Sequence, residues 1–93
     1  MTNKNTTITS GSEIVEKIRY YISDHFLVDF DDEINDYTDL FKAGIIDSFG
    51  FIELVVFLEK NFNVKFKVEE LVSNGLNSIK NMTAIIINKQ NEN

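Results

Sequence analysis

Asp39-Leu40-Phe41-Lys42-Ala43-Gly44-Ile45-Ile46-Asp47-Ser48-Phe49-Gly50-Phe51 runs without a break into Ile52-Glu53-Leu54-Val55-Val56-Phe57-Leu58-Glu59-Lys60-Asn61-Phe62. The first part keeps no helical or strand period, yet it is studded with apolar anchors. The second part predicts a strongly apolar helix from about Ser48 to Asn61. Asp47 and Ser48 stand at the join, and residues of this kind accept hydrogen bonds from the orphan N–H groups of a first helical turn. Placed at about 100° per residue, Phe51, Leu54, Val55, Leu58 and Phe62 share a third of the circumference and form a core stripe. Phe49, Ile52 and Val56 fall on nearly the opposite side, flanked by Glu53, Glu59 and Lys60. A helix apolar on two faces is either enclosed or turned toward a partner. Enclosure is hard to arrange in 93 residues, so the second stripe is expected to be an exposed docking surface.

On the N-terminal side, Ser10 followed by Glu13 fits a capping box that opens a helix at about Gly11. Ile14, Val15, Ile18, Tyr21, Ile22 and Phe26 then recur at three- and four-residue steps and mark one buried face, with an end near Leu27. Glu13 and Glu16 lie in the first turn, where the helix dipole favours negative charge. Residues 1–9 read as a loose polar tail. From Val28 to Asp47 the segment is acidic, with Asp29, Asp31, Asp32, Glu33, Asp36 and Asp39, and it carries Ile34, Tyr37, Leu40, Phe41, Ile45 and Ile46 as apolar pins. A calcium loop starting at Asp29 fails on spacing: Ile34 stands where glycine is needed and Leu40 where the bidentate glutamate is needed. A connection this long without structure of its own is uncommon unless it has a task.

On the C-terminal side, Asn63-Val-Lys-Phe-Lys67 alternates as a strand does but has no partner strand, so a loop tucking Val64 and Phe66 against the core is expected. Val68 to Val72 reads as a short helical turn stopped near Asn74-Gly75, and Asn77 or Ser78 caps a last helix. That helix turns Ile79, Met82 and Ile86 inward, with Ala84 or Ile85 beside them. Residues 10–89 thus form one all-α domain: a small antiparallel bundle of three main helices and one short helix, with a long loop between helices 1 and 2. Residues 90–93 are expected to fray as a tail, from about Lys89 onward.

Totals narrow the chemistry. An apolar share of 43% belongs to a folding chain. Cysteine is absent and histidine occurs once, which argues against disulfides, thiolate metal sites, His clusters and a conventional triad. A net charge of −6 repels phosphate backbones and suits a basic patch on another protein, so nucleic acid is not an expected partner. No run approaches a membrane span or a signal-peptide core. A soluble cytoplasmic monomer is expected.

A hydrolase built on Ser48 lacks a base, because His25 is placed at the far end of another helix. The position suits a phosphate better. A phosphodiester on the Ser48 oxygen would lie at the positive end of the second helix, near its free N–H groups. Asp47 beside it presents a carboxylate to a magnesium-using modifying enzyme. Gly50, whose cost in a helix interior is about 1 kcal/mol relative to alanine, would keep the approach clear of a side chain.

The run Asp39-Leu40-Phe41, Gly44-Ile45-Ile46-Asp47-Ser48-Phe49, Glu53-Leu54, Leu58-Glu59 and Phe62 resembles the acyl carrier protein family, over roughly residues 13–88. The resemblance implies that Ser48 carries 4′-phosphopantetheine, taken from coenzyme A by a phosphopantetheinyl transferase, and that Asp47 is the acidic residue before it. It implies that Phe49, Ile52 and Val56 meet partner enzymes, with Glu53 and Glu59 among their acidic surroundings. Leu54, Val55, Leu58 and Phe62 match the inward side that encloses or adjoins the cargo. The protein would then catalyse nothing. It would hold an acyl or aminoacyl group as a thioester and pass it between a loading ligase and downstream acyl-processing enzymes. Two departures stand out: Phe49 replaces the usual leucine or methionine, and two residues, Ile45 and Ile46, separate Gly44 from Asp47 where typical fatty-acid carriers have one. Gly-Ile-Ile-Asp-Ser-Phe-Gly is similar to the stand-alone D-alanyl carriers, and bulky Phe57 and Phe66 would restrict a cavity and favour a small cargo. Fatty-acid, polyketide, nonribosomal-peptide and D-alanine pathways all remain open. A different class, an unmodified helical adaptor binding through Phe49, Ile52 and Val56, accounts for the exposed stripe equally well.

Overall fold

The computed structural model describes residues 10–72 and 75–91. Among these residues the backbone forms helices and no strand: α1 Gly11–Phe26, α2 Ser48–Phe62, α3 Val68–Val72 and α4 Ile79–Asn91. The all-α bundle with one long first loop is the architecture the periodicity predicts. The expected N-terminal tail, Asn74 and the last two residues lie outside the described segments.

α1 starts where the capping box puts it. The Ser10 hydroxyl accepts the Glu13 N–H, and the Glu13 carboxylate accepts the Ser10 N–H. The helix ends at Leu27, whose left-handed φ of 56° closes the last turn onto the Ser23 carbonyl. Ile14, Ile18 and Ile22 are fully buried, while Val15, Tyr21 and Phe26 are half-buried beside them. From α2 the core takes Leu54, Leu58 and Phe62, and from α4 it takes Ile79, Met82 and Ile86. Each such side chain contributes about 1.5–3 kcal/mol by leaving water, which is why the stripes rather than local propensity hold the bundle together.

The pairing of helices is antiparallel. Phe26 of α1 meets Gly50 of α2, His25 meets Glu53, and Tyr21 stacks on Phe57, so one chain ascends as the other descends. α4 lies along α1, with Ile87 against Gly11 at one end. Near the other end Asp36 joins the two, accepting both Arg19 Nη2 bonds at 2.8 Å and the Lys80 N–H at 2.9 Å.

The acidic loop is a chain of local turns. Asp31 Oδ1 accepts the N–H groups of Glu33 and Ile34, and Asp39 Oδ1 accepts those of Phe41 and Lys42. The Ile34 N–H first and the Glu33 N–H second hold the Asp31 carboxyl below its ordinary pKa, and the Lys42 N–H does the same for Asp39. Asp39 Oδ2 also accepts from Asn77 Nδ2, while the Leu40 N–H donates to the Asn77 carbonyl. The carboxylates that a calcium loop would have turned onto a metal are turned onto the backbone instead. Among the described residues, no cluster of three or more acidic, histidine or cysteine side chains suits a metal ion.

Two expectations are corrected. Tyr37 and Phe41 are not core pins: Tyr37 is 73% exposed, with Lys80 Nζ 5.4 Å from its ring, and Phe41 is partly exposed against Phe51. Leu40 and Ile46 do the pinning, with Ile34 and Ile45 half-buried. The expected tail from Lys89 is helical to Asn91, because Lys89 Nζ pairs with the Glu70 carboxylate at 2.7 Å and Gln90 Nε2 reaches the Phe62 carbonyl at 3.5 Å. Between the two candidates for the α4 cap, Ser78 takes the role: its hydroxyl accepts the Asn81 N–H and its carbonyl the Met82 N–H. Val64 is buried and Phe66 half-buried, as the loop reading expected, and Ile85 rather than Ala84 turns toward the core.

Candidate functional site

The chain is gripped on both sides of Asp47-Ser48-Phe49. Before it, Gly44 takes a left-handed φ of 78°, which a glycine adopts without strain. The N–H groups of Ile45 and Ile46 then both donate to the Leu40 carbonyl, at 3.0 and 3.2 Å. Leu40 and Ile46 are buried, so the backbone is anchored one residue ahead of Asp47. After the triplet, Gly50 is buried against α1. Asp47, Ser48 and Phe49 remain exposed on the corner between these anchors.

Asp47 is the cap of α2. Its backbone is extended, its Oδ1 accepts the Gly50 N–H at 2.8 Å, and its carbonyl accepts the Phe51 N–H at 2.8 Å. Because the aspartate does the capping, the Ser48 hydroxyl is left without an internal partner, as are the N–H groups of Ser48 and Phe49, among the described residues. A free hydroxyl thus lies beside two unpaired donors at the positive end of a helix of 15 residues.

His25 is in the last turn of α1, facing α2 rather than remote from it. Its Nε2 lies 2.8 Å from Glu53 Oε1, and its ring stacks on Tyr21 at 5.0 Å. Tyr21 is half-buried, and burial, then the nearby Glu53 charge, push its phenol above the ordinary value. The histidine is engaged with a carboxylate one turn and more along α2 from Ser48, and among the described residues the serine has no paired base.

The outer face of α2 carries the expected second stripe: Phe49 is 80% exposed, Ile52 61% and Val56 44%. Glu53 and Glu59, expected among its acidic surroundings, both have internal partners. Glu53 holds His25, and Glu59, half-buried, accepts the Phe66 N–H at 3.0 Å and so ties down the α2–α3 connection. Inward, Leu54, Leu58 and Phe62 are buried and Val55 half-buried. Phe57 stacks on Tyr21 at 4.0 Å, on the α1 side. Phe41 and Phe51, in edge contact at 5.3 Å, line a groove that reaches Leu71 of α3, Leu76 and Asn77.

Local patterning placed the start of α2 at Asp47-Ser48 and the exposed stripe along it. It missed His25–Glu53, Arg19–Asp36 and Phe26–Gly50, whose members are far apart in the chain and carry no short-range signal. No helix among the described residues is long and apolar enough to cross a membrane.

Comparison with known proteins places this geometry. The family model described as a phosphopantetheine attachment site matches residues 27–86, well over half of the chain, from the start of the acidic loop into α4. The D-alanyl carrier protein of Streptococcus pyogenes serotype M5 (strain Manfredo) is 44% identical over 41 residues, which cover 44% of this chain and 52% of that protein. The match therefore spans about half the length of that relative. With the family model covering the loop, the free serine and the helices around it, the chain belongs to the phosphopantetheine attachment site family, and it is a carrier protein whose cofactor is covalently attached 4′-phosphopantetheine.

Proposed function

We propose that Ser48 is the attachment residue and that the protein is a non-catalytic carrier of a small acyl or aminoacyl group. The observation that carries this reading is the division of labour at the start of α2: Asp47 caps the helix, and the exposed Ser48 hydroxyl is free. The residues fit the group. A phosphodiester there meets the unpaired N–H groups of Ser48 and Phe49 and the positive helix end. In the attachment step the Ser48 oxygen forms a bond to the phosphopantetheine phosphorus and the pyrophosphate link of coenzyme A breaks. Adenosine 3′,5′-bisphosphate leaves, and the hydroxyl proton passes to a base on the transferase. Once attached, the arm supplies a terminal thiol that holds cargo as a thioester.

Ser48 and its neighbours do the rest by presentation. Asp47 keeps one carboxylate oxygen outside its capping bond for a transferase-bound magnesium ion. Phe49, Ile52 and Val56 offer an apolar address to the transferase, the loading ligase and the downstream enzymes, with Glu53 beside them. Such contacts are small and transient, and the net charge of −6 steers basic partners toward them. The Gly-Ile-Ile-Asp-Ser-Phe-Gly run and the likeness to a D-alanyl carrier favour an aminoacyl cargo, with D-alanine as the first candidate, handled by a cytoplasmic monomer.

Intact mass after incubation with coenzyme A, magnesium and a broad-specificity transferase tests the reading. The wild-type chain gains one phosphopantetheine and Ser48→Ala gains none. An unchanged mass on folded wild-type protein overturns it and favours the adaptor that binds through the exposed stripe. Incubating the loaded protein with a D-alanine-activating ligase, ATP and D-alanine then tests the cargo by a second mass step.

A further inference from the structure

Gly50 lies two residues beyond Ser48, on the inward side of the first turn of α2, and it is buried. Its φ is not in the left-handed region, so backbone freedom does not explain the glycine. Space does. A Cβ at this position would sit 2.6 Å from Phe26 Cε1, 3.0 Å from Phe26 Cζ and 3.3 Å from Asp47 Oδ1. The edge of the Phe26 ring fills the volume that any other residue would claim. The expectation that this glycine clears an approach from solvent is therefore corrected: the cleared side faces α1.

The half-buried ring is flanked by two other rings. Phe26 closes α1, and its ring meets His25 edge-on at 4.8 Å and Tyr21 edge-on at 6.3 Å. Tyr21 is itself stacked on Phe57 of α2 at 4.0 Å. An added methyl at such a contact moves a neighbour, either the ring or the first turn of α2. The neighbour that moves with Gly50 is Asp47, whose Oδ1 is bonded to the Gly50 N–H at 2.8 Å. Ser48 lies between the two.

We propose that Gly50 and Phe26 are a size-matched pair of positioning residues that sets the height of the Ser48 hydroxyl over the α1–α2 junction, so that a methyl group at Gly50 slows phosphopantetheine attachment in a domain that stays folded. The inference rests on the reading of Ser48 as the attachment residue. Misplacing a reacting atom by ~1 Å costs up to about a hundredfold in rate, and Ile52 and Val56 of the docking stripe lie beyond the displaced turn. The loss therefore falls mainly on kcat, with a smaller change in KM through Phe49.

The test uses the full chain, coenzyme A, magnesium and a broad-specificity transferase, with rates from intact mass and the fold monitored by circular dichroism. Gly50→Ala is expected to lower kcat about tenfold or more. Adding Phe26→Leu, which deletes the ring atoms in the way, restores most of that loss in the double variant, giving a clear coupling in the mutant cycle. Wild-type kcat in folded Gly50→Ala, a loss that merely tracks the unfolded fraction, or no rescue in the double variant would each overturn the inference while leaving Ser48 as the attachment residue. A wild-type chain that gains no mass overturns both. Should Gly50→Ala fail to fold, Phe26→Leu alone carries the test: it replaces the close contact by a gap, and an unchanged kcat overturns the inference.

Discussion

Replacing Asp47 by alanine removes the carboxylate that accepts the Gly50 N–H at 2.8 Å. Two effects add. Loss of an N-cap costs about 0.5–2 kcal/mol. Loss of the negative charge at the helix start adds about 0.3–1 kcal/mol. Together these come to about 0.8–3 kcal/mol, and at roughly 4–8 °C per kcal/mol for a domain of this size thermal unfolding moves down by about 3–24 °C. Asp47→Asn keeps the acceptor and loses only the charge, so its shift is about 1–8 °C by the same conversion. Circular dichroism melts of both variants at low and high salt separate the terms, because salt screens the charge effect and spares the hydrogen bond. Equal losses in the two variants, or a neutral Asp47→Ala, would refute the argument that capping holds Asp47 and frees Ser48.

Serine at Phe49, Ile52 or Val56 leaves stability within about 0.5 kcal/mol, as for other exposed sites, yet raises the transferase KM with kcat unchanged; a destabilised triple variant would show that the stripe is core after all. Stability should also fall in acid. Asp31, Asp39 and Glu70 are held below their ordinary values, chiefly by the N–H groups of Ile34, Lys42 and Lys67 respectively, and Glu70 next by Lys89. The unfolded chain therefore binds more protons than the folded one as pH drops, so the contribution is complete above the unfolded values near pH ~4 and is lost through the lower folded values. Melting temperature holds steady from about pH 7 to about pH 5 and falls below. Asp39→Asn, which still accepts the Phe41 and Lys42 N–H groups, makes the fall shallower; a melting temperature that rises in acid contradicts the assignment.

Much of the bundle was legible in the chain. The Ser10–Glu13 box, the Ile14–Ile18–Ile22 face and the split of α2 into Leu54–Leu58 and Phe49–Ile52–Val56 sides follow from helical period and capping chemistry, which act within a turn or two. The start of α2 at Asp47-Ser48 was legible for the same reason, since the break of pattern there marks a helix start. Lys89 and Gln90 were misread as tail because their partners, Glu70 and the Phe62 carbonyl, lie far back in the sequence. Tyr37 and Phe41 were misread as pins because hydrophobicity alone does not say which ring of an irregular loop turns inward.

By itself the sequence determined where helices begin and which side of each turns inward, because both depend on neighbours three or four residues away. Only the tertiary structure decided that Gly50 is a seat for the Phe26 ring, that His25 reaches Glu53, and that the acidic loop is tied to Arg19 and Asn77. Those facts depend on the distance and crossing of elements remote in the chain. A periodic pattern reports rotation about one helix axis and carries no measure of how closely a second axis approaches.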